Sequence, residues 1–162
     1  MNSAAIAILA FVTLQRIFEL RLSQANCRQL IAKGAIEYGS SHYKYIVALH
    51  TAWLAALWWW APFRDINIPL LLVYLLLQVG RIWVLRTLGP RWTTRIIVVP
   101  REKLVASGPY RFVNHPNYLV VVGEIAVLPL VFGMWRAALV FSILNALVLA
   151  IRIKAENRAL GR

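Results

Sequence analysis

Five stretches of this chain are apolar for nearly the thickness of a bilayer, and no other feature restricts its fold so tightly. A helix that crosses the hydrocarbon core needs about 20 mostly apolar residues. The runs Ala4–Leu22, Tyr45–Ala61, Ile66–Leu85, Tyr118–Phe132 and Trp135–Ile153 approach that length. In lipid every backbone polar group must be satisfied within the protein, so such runs read as helices. Composition agrees: the chain has 162 residues, 60% hydrophobic and only 15% charged, too little polar surface to cover a soluble domain of this size. The expected fold is all-α, a polytopic integral membrane helix bundle of about five transmembrane helices, in one domain spanning 1–162. The fourth run is short and carries Pro129, so it is expected to be tilted, kinked or only partly spanning. Trp58, Trp59 and Trp60 end the second run as an interfacial belt.

The formal net charge of +12 would also be compatible with nucleic acid. Here the basic residues punctuate apolar runs instead of forming one soluble patch, so nucleic acid is not an expected partner. They are also one-sided. The first loop, the connection from Thr87 to Asn117 and the C-terminal tail, taken with the helix ends that flank them, hold all the others when Arg64 and Arg136, which fall opposite, are set aside. The positive-inside rule therefore places the N-terminus outside and the C-terminus in the cytoplasm; in a bacterium the membrane would be the inner one. The N-terminal run lacks the basic start and small-residue cleavage site of a signal peptide and is read as the first span. One cysteine, Cys27, excludes an intrachain disulfide. No metal-ligand spacing, dinucleotide fingerprint or nucleophile elbow is present.

The chemistry-bearing residues gather where the chain re-enters the membrane for its fourth run. Gly108 and Pro109 make a turn, followed by Tyr110, Arg111, Asn114, His115, Pro116, Asn117 and Tyr118. Pro116 suits the first turn of a helix and biases His115 away from helical geometry. The cluster reads either as a site or as a turn whose aromatics anchor a helix at the interface. Glu124 lies inside an apolar run, where an ionisable group marks a functional site by default; the alternative is a structural pair with Arg81. Asn145, Arg152 and Glu156 share one stripe of the last run, and Arg152 and Glu156 are an i,i+4 pair. Tyr74, Gln78 and Arg81 form a polar stripe on the third run. The two stripes are expected to face each other across one polar pocket. His50, alone in the second run, reads as a hydrogen-bonded packing residue.

The stretch Gly108–Gly123, followed by Arg152-Ile153-Lys154-Ala155-Glu156-Asn157, resembles the isoprenylcysteine carboxyl methyltransferase family, part of a superfamily that includes phospholipid N-methyltransferases. Glu19-Leu20-Arg21-Leu22 and the Leu88–Val99 segment with Trp92-Thr93-Thr94 are similar to its bacterial branch, whose members O-methylate alkylated pyrones or resorcinols. The resemblance implies a helical methyltransferase using S-adenosylmethionine, with loop 87–117 and tail 152–162 as its cytoplasmic catalytic face. His115, Tyr118 and Glu156 fall at cofactor-binding positions, Tyr110 and Pro116 shape the pocket, and Arg152 falls near the methyl acceptor. Three positions depart from the pattern. Asn114 replaces an Arg, Val120 a Gly that allows close helix approach, and Asn157 a second glutamate.

The implied acceptor is a lipophilic small molecule or lipid, reached from the membrane while the cofactor arrives from the cytoplasm. A carboxylate acceptor needs only an orienting cation such as Arg152. A phenol or enol is helped by a base, and Glu124 is favoured over His115 for that role. Two other readings stand beside this one. Membrane sterol reductases share a His-Pro-x-Tyr turn and use NADPH, and a non-catalytic scaffold would bind no cofactor.

Overall fold

The computed structural model describes residues 1–161; Arg162, counted above in the basic tail, lies outside them. Five helices account for most of the chain: α1 (Ser3–Ala32), α2 (Ser40–Trp60), α3 (Ile68–Leu88), α4 (Pro116–Val131) and α5 (Trp135–Ala159). Four of them, α1, α2, α3 and α5, are long and apolar enough to cross a membrane. This is a multi-pass integral membrane protein. Its outer surface is built of large apolar side chains, among them Phe11, Phe18, Leu72, Leu76, Ile143 and Leu147. Lipid is the solvent that such a surface requires.

The helices are arranged up and down. At one end the N-terminus, the α2–α3 turn and the α4–α5 turn meet. Asn2 caps α1 by accepting from the Ala4 and Ala5 amides at 3.1 and 3.3 Å, and its side-chain amide donates to Arg64 O at 3.0 Å. The Asn67 amide donates to Val131 O at 2.8 Å, tying the start of α3 to the end of α4. Arg64 and Arg136 lie at this end, and the other described basic residues lie toward the opposite, basic end or, like Arg16, within the helices. Side chains such as Leu9, Trp53, Leu57, Leu128 and Phe132 form a dry core in the half nearest the turns.

Helix α1 runs 30 residues, about 45 Å, well beyond the expected end at Leu22. Its extension leaves the apolar run and holds the α3–α4 connection: Asn26 Nδ2 donates to Trp92 O at 2.7 Å. Helix α4 has 16 residues, about 24 Å, short for a span. Pro129 sits in its last turn and does not kink its middle. The proline has no N–H for the Ile125 carbonyl, and Trp53 Nε1 on α2 donates to that oxygen instead, at 3.3 Å.

Close approach of α3 and α4 rests on glycines. A Cβ on Gly123 would lie 2.8 Å from a Leu77 methyl carbon, and one on Gly80 would lie 3.5 Å from Val120. Small residues let membrane helices pack backbone to backbone. At Val120, where the family pattern has glycine, the small residue is on the facing helix.

The α3–α4 connection is not the plain loop its composition indicates. Residues 96–98 form a strand (β2) that pairs antiparallel with residues 36–38 (β1) of the α1–α2 loop, Glu37 opposite Ile97. Arg95 Nη1 meets both Glu37 oxygens at 3.0 Å. The ribbon lies across the basic end of the bundle. Gly108 then turns the chain back at φ +57°, where a Cβ would collide with Thr87 at 2.4 Å. That contact seats the Pro109–Arg111 turn against the end of α3.

Candidate active site

Two polar networks occupy the basic half of the bundle, in place of the single pocket expected from the stripes on α3 and α5. The first is a buried ion quartet joining α1, α3 and α4. Arg81 grips Glu124 with both Nε (2.7 Å) and Nη2, Arg16 Nη2 donates to the same carboxylate at 2.8 Å, and Gln78 Nε2 adds a fourth bond at 2.9 Å. Glu19 closes the quartet, accepting from Arg16 at 2.7 Å and Arg81 at 3.3 Å. Two acids and two arginines balance, which is how charge is accommodated in a low-dielectric interior. Four donors fill the lone pairs of Glu124, and the residue lines neither cavity described below. The geometry is therefore that of the structural alternative, a pair with Arg81, and a base at Glu124 is not carried forward.

The second network is built by the start of α4 and the end of α5. Pro116 opens α4, so His115 precedes it and Tyr118 lies on the first turn. The His115 and Tyr118 rings stack with centroids 5.4 Å apart. Tyr118 Oη donates to Glu156 Oε2, and Arg152 Nε donates to Tyr118 Oη at 2.9 Å. The expected i,i+4 pair of Arg152 and Glu156 is thus bridged by a phenol and is not a direct ion pair. His115 Nε2 bonds Asn157 Oδ1 at 2.9 Å, while its Nδ1 lies 3.7 Å from Glu156. The amide at the second glutamate position therefore orients the imidazole.

Arg152 is 5% exposed and pairs with no carboxylate among the described residues. Its remaining bond runs from Nη2 to the Thr94 carbonyl at 2.6 Å. Thr94 is held in turn by α1 and α2: its amide donates to Ser23 Oγ at 2.9 Å, and its hydroxyl bonds Ser23 Oγ at 2.8 Å and Tyr43 Oη at 3.0 Å. Sequence reasoning missed this hub. A β-branched run, Ile96-Ile97-Val98-Val99, was the available signal for a strand beside it, but three-residue strands are too short for periodicity to register.

A pocket of about 170 Å³ opens at the basic end between β2, the Tyr110 turn and the tip of α5, with His115, Tyr118, Arg152 and Glu156 in its wall. Burial pushes the Tyr110 phenol well above its usual pKa, and the nearby Glu156 carboxylate adds to the shift. A second chamber, about 260 Å³, lies in the membrane between α1, α2, α4 and α5. Trp92, Asn117, Tyr118 and Arg152 line both spaces. Asn117 Oδ1 and Trp92 Nε1 are sealed from solvent and have no hydrogen-bond partner among the described residues. The site therefore joins a water-facing pocket and a lipid-facing chamber at one buried cation. Of the residues singled out in the sequence, His115, Tyr118, Glu156, Arg152 and Tyr110 come together there, Pro116 supports them from behind, and Glu124 stands apart.

The fold and site define a membrane helix bundle with a polar site at its basic end, bordered by two cavities. The matching family is more specific. The isoprenylcysteine carboxyl methyltransferase (ICMT) family pattern matches residues 70–162, more than half of the chain and all of the α4–α5 site, and the chain belongs to that family of membrane methyltransferases. It is 36% identical over 166 residues to the uncharacterized protein YpbQ of Bacillus subtilis (strain 168), covering 94% of each chain. It is 29% identical over 152 residues to an uncharacterized protein of Haemophilus influenzae, covering 90% of this chain and 88% of the other. No solved structure matches it.

Proposed function

We propose that the protein is an S-adenosylmethionine-dependent O-methyltransferase that esterifies or etherifies an acidic oxygen of a lipophilic acceptor. The observation that carries this reading is Arg152, a buried guanidinium with no acid partner among the described residues, in the wall shared by the two cavities. A buried cation without a counter-ion is costly, and an anionic acceptor oxygen supplies the missing charge.

The water-facing pocket fits the cofactor. Glu156 places a carboxylate there for an ammonium group, with Oε1 free of hydrogen bonds from described residues. Bound there, S-adenosylmethionine supplies an electrophilic methyl group. The protein's part is to hold and align. Asn157 fixes the His115 ring, Tyr118 links Glu156 to Arg152, and the Thr94 carbonyl keeps the guanidinium plane in place. Alignment and exclusion of water are the main contributions a transferase of this kind needs to make. With Glu124 saturated and His115 in the cofactor pocket and not the shared wall, none of the four shared-wall residues is a base, which favours a carboxylate, or an enol acidic enough to arrive ionised. Ile17 and Leu20 of α1 and Val47 and Thr51 of α2 line the chamber and are themselves exposed toward lipid, and an acceptor can pass between these helices from the bilayer.

The test is calorimetric titration of the detergent-purified protein with S-adenosylhomocysteine and, separately, NADPH. Saturable binding of the first, lost in Glu156→Ala with unchanged melting temperature, is the expected result. Binding of NADPH alone would establish the reductase reading. Binding of neither by folded protein would favour the scaffold.

A further inference from the structure

The membrane chamber holds one polar atom whose partner is missing far from the reaction site. His50 on α2 lines the chamber, and its Nδ1 is bonded to the Ile46 carbonyl at 2.8 Å. A carbonyl only accepts, so Nδ1 carries the hydrogen and the neutral ring presents a lone pair at Nε2. Nε2 has no hydrogen-bond partner among the described residues and is not among the sealed polar atoms.

The other polar side chains of this part of the chamber each have a partner among the described residues. Thr13 and Thr51 donate to the Leu9 and Val47 carbonyls of their own helices, each at 2.8 Å. Both Glu19 oxygens accept within the ion quartet, at 3.0 Å from Gln15 and 2.7 Å from Arg16. Arg81 spends all three of its nitrogens on Glu19 and Glu124. Arg16 keeps only Nε without a partner, and that atom is sealed from solvent. The remaining uncommitted groups, on Trp92, Asn117 and Arg152, belong to the shared wall at the basic end.

The depth of His50 follows from helix rise. Trp60 and Trp135 lie together at the turn end of α2 and α5. From that level the His50 Cα is about 15 Å along α2 and the Arg152 Cα about 25 Å along α5, so the two backbone positions differ in depth by about 10 Å, and their side chains lean toward each other. The lining between them includes Ile46, Val121 and Leu149.

We infer that the acceptor carries two polar groups: the anionic oxygen held by Arg152 and, within about 10 Å of it along an apolar linker, a hydroxyl or N–H that donates to His50 Nε2. The inference rests on the reading of this chamber as the acceptor site and narrows it, from any lipophilic acid to one with a hydrogen-bond donor partway along its apolar body. A site built to bond a hydroxyl rejects the analogue that lacks one, because its own polar group is left without a partner.

The test is scintillation-proximity binding of two tritiated probes, hexadecanoic acid and 9-hydroxyhexadecanoic acid, to the detergent-purified full chain. The hydroxy acid is expected to bind about three- to ten-fold more tightly, the worth of one net hydrogen bond. His50→Leu should erase that preference while leaving the plain acid's affinity within about two-fold, and His50→Asn, which keeps an acceptor, should retain part of it. A preference that survives in His50→Leu, or no preference in the wild type, overturns the role of His50 while leaving the chamber as an acceptor site. Absence of saturable binding for both acids overturns the chamber itself, and the inference falls with it.

Discussion

Replacing Glu124 by Gln separates a structural carboxylate from a catalytic one. Glu124 accepts from Arg81 Nε and Nη2, Arg16 Nη2 and Gln78 Nε2, and its side chain is 3% exposed against 4% for Arg81. The substitution leaves Glu19 as the one acid against two arginines and turns an amide N–H toward groups that only donate. Removing one member of a buried ion pair costs about 3–5 kcal/mol. For a chain of this length each kcal/mol lowers Tm by about 2–4 °C, so a fall of about 6–20 °C is expected. The assay is tryptophan-fluorescence melting in detergent, read beside S-adenosylhomocysteine affinity at a temperature where both proteins are folded. That affinity should change by less than about two-fold, since binding groups farther than about 7–10 Å act independently. Arg16→Gln added to Glu124→Gln restores one acid against one arginine and should recover about 1–3 kcal/mol of the loss. A Glu124→Gln protein with wild-type Tm whose methyl transfer is abolished would refute the reasoning and return Glu124 to the role of base.

Other perturbations test the remaining links. Trp53→Phe removes the donor to the Ile125 carbonyl freed by Pro129 and should cost about 1–3 kcal/mol; in a Pro129→Ala background, where residue 129 supplies its own N–H, melting curves should show that cost reduced by at least about half. Ser23→Ala loosens Thr94 and through it Arg152, so acceptor KM should rise about three- to ten-fold with cofactor affinity unchanged, by steady-state kinetics and titration. Gly123→Val places methyl groups into Leu77 and should destabilise the α3–α4 packing by about 1–3 kcal/mol, read as a lowered Tm.

The helices were legible because their cause is local. A run of apolar residues as long as a bilayer has one good conformation in lipid. The boundaries were less legible. Helix α1 continues to Ala32 because its extension is held by Trp92 and Thr94, contacts that lie some 70 residues away in the chain. The motif on α4 and α5 drew attention to His115, Tyr118, Arg152 and Glu156, and helical spacing put Arg152 and Glu156 on one face.

Which polar groups meet was decided by the tertiary structure alone. Periodicity gives the face of a helix that a residue occupies, not the helix that face will meet. Glu124 lies mid-helix in either reading. Only the convergence of α1 and α3 on α4 surrounds it with two arginines and a glutamine and so makes it structural. His50 looked like a packing residue from its position, and only the folded chamber shows that one of its nitrogens is satisfied and the other is not. Arg152 could have paired with Glu156 four residues along the same helix. Tyr118 from α4 comes between them, and the cation is left facing the space where two phases meet.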